Sequence, residues 1–324
     1  MVEIAPRRCD HVLLRQVLAA ALLAEREVLV RGGAAFIDST PEVQPLVSDW
    51  EKFIDSFRLG AFDINGDDLV FTPGQVRHGI YSFETNPYSS AVELALLMAP
   101  ALSARPYRSA LDLRGVTHAA HSYATDFVRE TLFALFEPMG FYTSLSLRRF
   151  GFYGTGKGEM EVKVFPSRSR QAGSIIPACV PRVTGARVYI SRYPSTLAYE
   201  QKDILSGDLG LDPATVGIME IMNAAGSGNA LHAHLDWGGI DVLLPHVIDA
   251  YSFDGSRVAD EAALCDAVRV FANFVRGVVA DGVLPAVVVR ELVPYAVMTG
   301  SRLPDSGDPD AVEESLAVMR ALLG

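Results

Sequence analysis

Cysteine is scarce in this chain: Cys9, Cys179 and Cys265 are the only three in 324 residues, and they stand far apart. That argues against a disulfide framework and matches no zinc-site spacing, so reduced thiols in a cytoplasmic protein are expected. Long apolar runs are missing as well. The aliphatic residues come in short stretches of Val, Leu and Ala, none approaching the ~18 residues that cross a bilayer. Met1 to Asp10 is charged and holds no cleavage signal, so no secretory leader is expected. Positive charge is also in deficit. The 28 Lys and Arg face 39 Asp and Glu, a formal net charge of −11. A field of that sign repels a long phosphate backbone and argues against extended nucleic acid as a partner. Arg7, Arg8, Arg15 and Arg31 nonetheless gather in one N-terminal region.

What is present is an ordinary globular composition, 49% hydrophobic and 21% charged, sufficient for sizeable cores. Val12 to Ala24 reads as a helix with apolar positions on most faces, and Glu27 to Val30 as a short strand. A weaker amphipathic helix follows over Leu46 to Phe57, then strands at Asp68 to Thr72 and Tyr81 to Glu84. Ser89 to Met98 reads as a buried helix that stops near Pro100. The same order then recurs: a strand at Ser109 to Leu113, a long helix over Tyr123 to Met139, and strands at Thr143 to Arg149 and Glu159 to Phe165. Repeated units with helices covering a sheet are the expected architecture, an α/β class. The texture turns polar over Ser167 to Gly173. Further strands are expected at Arg187 to Arg192, Thr215 to Asn223 and Ala230 to Asp236. Helices are expected at Thr196 to Leu205, Asp260 to Val279, Pro285 to Met298 and Ala311 to Leu322.

Three stretches invite chemistry. His232, His234 and Asp236 alternate within a strand, which puts them on one face. Imidazole and carboxylate are proper ligands for a divalent metal, so the face is either a metal site or a solvated strand surface. His118 and His121 flank a turn after a strand end, where an imidazole can serve as a general base or simply cap a loop. Asp126 falls in the first turns of the following helix, where it favours the dipole. Gly154-Thr155-Gly156-Lys157-Gly158 resembles a phosphate loop but has Gly158 where Ser or Thr is required. It is either a tight hairpin or a weak anion site through Lys157.

The stretch RRFGFYGTGKGEMEVKVFP, Arg148 to Pro166, resembles a recurring segment of RNA 3'-terminal phosphate cyclases. Phe83 to Pro100, Gly115 to Gly140, Tyr193 to Leu205, Ala225 to Asp236, Ser256 to Val270 and Val287 to Gly300 extend the likeness in order. The resemblance implies repeated βαβαββ-like units forming a main domain, residues 1–182 plus 281–324. A smaller inserted α/β domain would occupy residues 183–280. It also implies that Arg15, Arg31, Gln44, Arg290 and Glu291 converge on the family's nucleotide site. Arg15, Arg31, Gln44, Lys157 and Arg290 are then candidate anion ligands, and His118, His121 and Glu291 candidate catalytic groups.

The family's own chemistry is poorly retained. Its glycine-rich N-terminal loop reads Arg8-Cys9-Asp10-His11-Val12 here, with side chains where backbone N–H groups would meet phosphate. Its late nucleophilic histidine has no counterpart, since no histidine follows His246. These departures argue against ATP as cofactor and against ATP-dependent RNA cyclisation. Besides an ATP-dependent RNA 3'-phosphate cyclase with relocated residues, which they disfavour, two readings stay open. One is an enzyme repurposed for a small anionic or nucleoside-like metabolite, on a scaffold related to the enolpyruvyl transferases. The other is a non-catalytic binding or assembly protein, like family members that serve ribosomal RNA processing. Oligomeric state is not legible.

Overall fold

The computed structural model describes residues 1–167, 179–252, 255–256 and 260–324. The polar stretch at 168–173 and residues 257–259 lie outside the described residues.

The chain opens with β1 (Val2–Ile4), α1 (His11–Ala24), β2 (Val28–Val30), α2 (Gly33–Ser39), α3 (Gln44–Ser56), β3 (Gly60–Asn65) and β4 (Asp68–Pro73). Their sheet has the order β1-β2-β4-β3, parallel at β1–β2 and antiparallel elsewhere. The second unit begins with β5 (Ile80–Glu84), α4 (Ala91–Ser103) and β6 (Ser109–Gly115). A helical run follows: α5 (Thr125–Phe127), a π-turn (Val128–Leu132), α6 (Phe133–Phe136) and a 3-10 turn (Glu137–Met139). β7 (Thr143–Gly151) and β8 (Gly158–Val164) close the unit. Its four strands run β5-β6-β8-β7, again parallel first and antiparallel after. The two units therefore share one topology, strand 1-2-4-3 with helices between, which is the expected βαβαββ repeat.

The rest supplies a third sheet, from β9 (Arg182–Ser191), α7 (Ser195–Leu209), β10 (Val216–Glu220), β11 (Ala224–Ala225), β12 (Gly228–Trp237) and β13 (Ile240–Ile248). Its order is β10-β9-β12-β13. The helices α8 (Glu261–Asp281), α9 (Ala286–Thr299) and α10 (Pro309–Leu323) complete the chain. α7 and α8 pack together against the third sheet, whereas α9 and α10 pack against α1 and the second unit. β11 leaves its neighbours to pair in parallel with β7. A methyl group on Gly228 would lie 2.1 Å from the Phe152 ring, so only glycine lets β12 pass so close.

Local chemistry explains the element ends. Asp10 caps α1 by accepting from the Leu13 N–H at 2.8 Å, and Ser90 caps α4 through the Val92 N–H at 3.2 Å. α4 does not stop near Pro100. It runs to Ser103 with every residue buried, and its packing against α1, β6 and β8 outweighs the hydrogen bond that proline removes. The expected helix over residues 123–139 exists from Thr125, but one π-turn interrupts it. The Thr131 hydroxyl in that turn donates to the Leu243 carbonyl at 3.1 Å and accepts its N–H at 2.8 Å. Those contacts tie the turn to β13. The glycines of Gly154 to Gly158 serve a hairpin: Gly154 and Gly156 have positive φ, and Gly158 lies against Gly151, Gly115 and Thr117.

Candidate functional site

α1 buries almost every side chain, including Arg15, which is 2% exposed. A guanidinium there requires carboxylates close by. α4 supplies Glu93, whose Oε2 lies 2.6 Å from Arg15 Nε as an ion pair without hydrogen-bond alignment. α9 supplies Glu291, which accepts from Arg15 Nη2. Tyr123 OH donates to Glu291 Oε1 at 2.6 Å, and Ser122 Oγ to Glu93 Oε1 at 2.9 Å. Burial opposes the Arg15 charge, yet Glu291 and Glu93 more than offset it and raise its pKa. Burial beside Glu291 likewise raises the Tyr123 phenol well above its ordinary value.

Arg290 turns the other way along α9. Its Nη1 and Nη2 donate to the two oxygens of Asp10 at 2.7 and 2.8 Å, while its carbonyl accepts from Gln16 Nε2 at 2.6 Å. Burial would raise the Asp10 carboxyl, but Arg290 and the Leu13 N–H hold it below the usual range. Arg15 and Arg290 thus both spend their charge on internal carboxylates. Arg31 sits apart and half exposed, bound to Glu3 at 2.7 Å and Asp68 at 2.6 Å. Gln44 is exposed and donates to the Asp38 carbonyl at 3.2 Å. Lys157 is exposed in the hairpin, without an ion pair among the described residues. The structure does not bring Arg31, Gln44 or Lys157 into contact with Arg15.

The two histidine groups meet instead. His118 and His232, from different units, share Asp126. His118 Nδ1 lies 2.9 Å from the Thr117 hydroxyl, and its Nε2 is 3.7 Å from Asp126 Oδ2, an electrostatic contact too long for a hydrogen bond. Asp126 Oδ1 accepts from Arg129 Nη2 at 2.6 Å. His232 is fully buried, its ring 4.6 Å from that of Tyr189, with both nitrogens lacking a hydrogen-bond partner. Burial, opposed by Asp126, lowers His232 to about 3. Burial would raise Asp126, but His118, His232 and Arg129 bring it to about 2. The group is therefore a buried carboxylate among imidazoles, and Asp126 does more than favour a helix dipole.

His234 and Asp236 climb out of this centre. Exposure rises from 0% at His232 to 17% at His234 and 41% at Asp236. His234 Nδ1 lies 3.2 Å from Asp241 Oδ2, and Asp236 lies 3.6 Å from Arg182. The three do not form one ligand set, and among the described residues no group of three His, Cys, Asp or Glu could hold a metal ion. His121 takes its own partner, Asp249, at 3.8 Å, with its ring edge-on to Tyr153.

The loop from Thr117 to Asp126 joins these centres: Ser122 and Tyr123 enter the Arg15 cluster, while His118 and Asp126 enter the other. Glu93, Ser122 and Tyr123 were missed by sequence reasoning. One signal was available, a glutamate in the first turn of the otherwise apolar helix Ala91–Ser103, which demands a partner once buried.

A cavity of about 820 Å³ is lined by the Asp10–Arg290 pair. The loop before α1 forms one wall with Arg7, Arg8 and Asp10. The first turns of α9 and α10 form the others, with Ala286, Val287, Arg290 and Glu314. Cys9 adjoins it with its thiol pushed up to about 12 by burial, Asp10 and Glu314, so it is not a nucleophile there.

No helix among the described residues is long and apolar enough to cross a membrane. A family model described as RNA 3'-terminal phosphate cyclase matches residues 51–306. Curated relatives carry that same name. The protein from Koribacter versatilis is 28% identical over 208 residues, covering 64% of this chain and 58% of that one. The protein from Methylococcus capsulatus is 29% identical over 262 residues, covering 74% and 69%. The protein from Salmonella agona is 25% identical over 173 residues, covering 52% and 50%. The matches thus span between half and about two thirds of these relatives. With the family model covering well over half of its residues, on a scaffold of repeated βαβαββ units, the chain belongs to the RNA 3'-terminal phosphate cyclase family.

Proposed function

We propose that this chain is a divergent family member that does not cyclise RNA ends with ATP, and that it handles a small anionic metabolite instead. The observation that carries this is the internal pairing of its charges. Arg15 is consumed by Glu93 and Glu291, and Arg290 by Asp10, so neither guanidinium is offered to a nucleotide. The loop that would cradle phosphate carries Arg8, Cys9, Asp10, His11 and Val12. Arg7 and Arg8 remain exposed on the 820 Å³ cavity without a carboxylate in ion-pair range among the described residues. That volume suits a metabolite. The net charge of −11 disfavours a long RNA. The same reading keeps residues 183–280 as an inserted domain within a main domain of 1–182 and 281–324.

A second reading, a non-catalytic binding or assembly protein, is favoured by the burial of Arg15, Glu93, Glu291 and Tyr123, which leaves these groups little face for a substrate. Incubation with ATP and an RNA bearing a 3'-phosphate tests the main claim. No cyclic phosphate and no protein-bound AMP are expected. Multiple-turnover cyclisation would overturn it.

A further inference from the structure

We propose that the Glu314 carboxylate is an internal occupant of an oxyanion site built from the backbone N–H groups of Arg7 and Arg8, so that it competes with any free anion entering the large cavity. This rests on the small-anion reading above. Glu314 Oε1 accepts from the Arg7 N–H and, at 3.3 Å, from the Arg8 N–H. Two successive backbone donors converging on one carboxylate oxygen make a concave positive site. The Arg7 and Arg8 side chains stand beside it, exposed and lining the same cavity. A phosphoryl oxygen entering from the cavity would therefore meet the same donors that Glu314 holds, with two guanidinium groups in reach.

The wall's charge makes the competition two-sided. Arg7, Arg8 and Arg290 face Glu3, Asp10, Asp308, Asp310, Glu313 and Glu314. Asp10 is neutralised by Arg290 and Glu3 by Arg31, and Asp308 caps α10 through the Ala311 N–H. Glu314 and Glu313 both repel an incoming anion, but among the described contacts only Glu314 also occupies the donors. α10 itself is not the moving part. Val312, Val318, Met319 and Leu322 anchor it in the core, and Arg26 binds the carbonyls of Ala321 and Leu322 at its far end. Displacement needs only rotation of one half-buried side chain.

Glu313 supplies the control. Glu313→Ala removes one negative charge from the cavity and leaves the donors occupied. Glu314→Ala removes one charge and frees them. Isothermal titration with inorganic pyrophosphate should show Glu314→Ala binding about tenfold more tightly than wild type, the worth of one charge-assisted hydrogen bond. Glu313→Ala should stay near wild type. Arg7→Gln and Arg8→Gln keep the backbone donors, so they should weaken binding in both backgrounds while Glu314→Ala keeps its gain. Equal gains from Glu313→Ala and Glu314→Ala would overturn the proposal, because charge alone would then explain them. Wild type binding as tightly as Glu314→Ala would remove the internal occupant and leave the anion reading standing. Absence of binding by every variant would remove that reading as well.

Discussion

Acidification should destabilise this protein through His232, well above the pH at which its carboxylates protonate. In the folded chain the His232 imidazole lies at about 3, against 6.5 when exposed. Below 6.5 the unfolded chain therefore binds a proton that the folded chain refuses. Stability is complete above that value and is lost as pH falls towards 3. The loss approaches about 1.4 kcal/mol per pH unit, or about 2 kcal/mol between pH 7 and pH 5. Asp126 adds nothing in that window, since its depressed pKa of about 2 matters only below the ordinary 3.8. His11 and His246 are also lowered by burial and steepen the total slope. The decisive quantity is thus the difference between wild type and His232→Leu, which cannot take the proton. Urea denaturation at the two pH values should give a pH dependence about 2 kcal/mol smaller in the variant. Identical dependence would mean that His232 is solvated in the native state, and the buried imidazole–carboxylate centre would be refuted.

Two further outcomes are expected. Arg15→Gln should lower stability by about 3–5 kcal/mol in the absence of any ligand, because it leaves Glu93 and Glu291 buried without their cation; a wild-type melting temperature would contradict the cluster. Purified protein should hold only sub-stoichiometric transition metal by elemental analysis, since His234 and Asp236 turn to Asp241 and Arg182; a full equivalent that vanishes in His232→Leu would refute that placement.

The candidate site was legible in its residue types more than in its grouping. His118, His121, His232 and His234 all stood out because imidazoles near strand ends or alternating along a strand are chemically conspicuous. Their association was not, because Asp126 joins His118 to His232 across the contact between the second unit and the third sheet. The anion candidates separated for a similar reason. Arg15 and Arg31 both suit phosphate by type, yet one is buried between two carboxylates and the other lies at the surface between Glu3 and Asp68.

Periodicity and turn residues alone located most helices and strands and the recurrence of one unit, because burial of one face imposes a spacing on the residues themselves. Composition set the absence of a basic field, and the family resemblance implied that Arg8 to Val12 stands in place of a glycine loop. The continuation of α4 through Pro100, the π-turn at Val128–Leu132 and the pairing of Arg15 with Glu93 and Glu291 were settled only in three dimensions. Each depends on what packs against the segment from elsewhere in the chain. A buried charge selects its partners by proximity in the folded state, and proximity across hundreds of residues leaves no local mark.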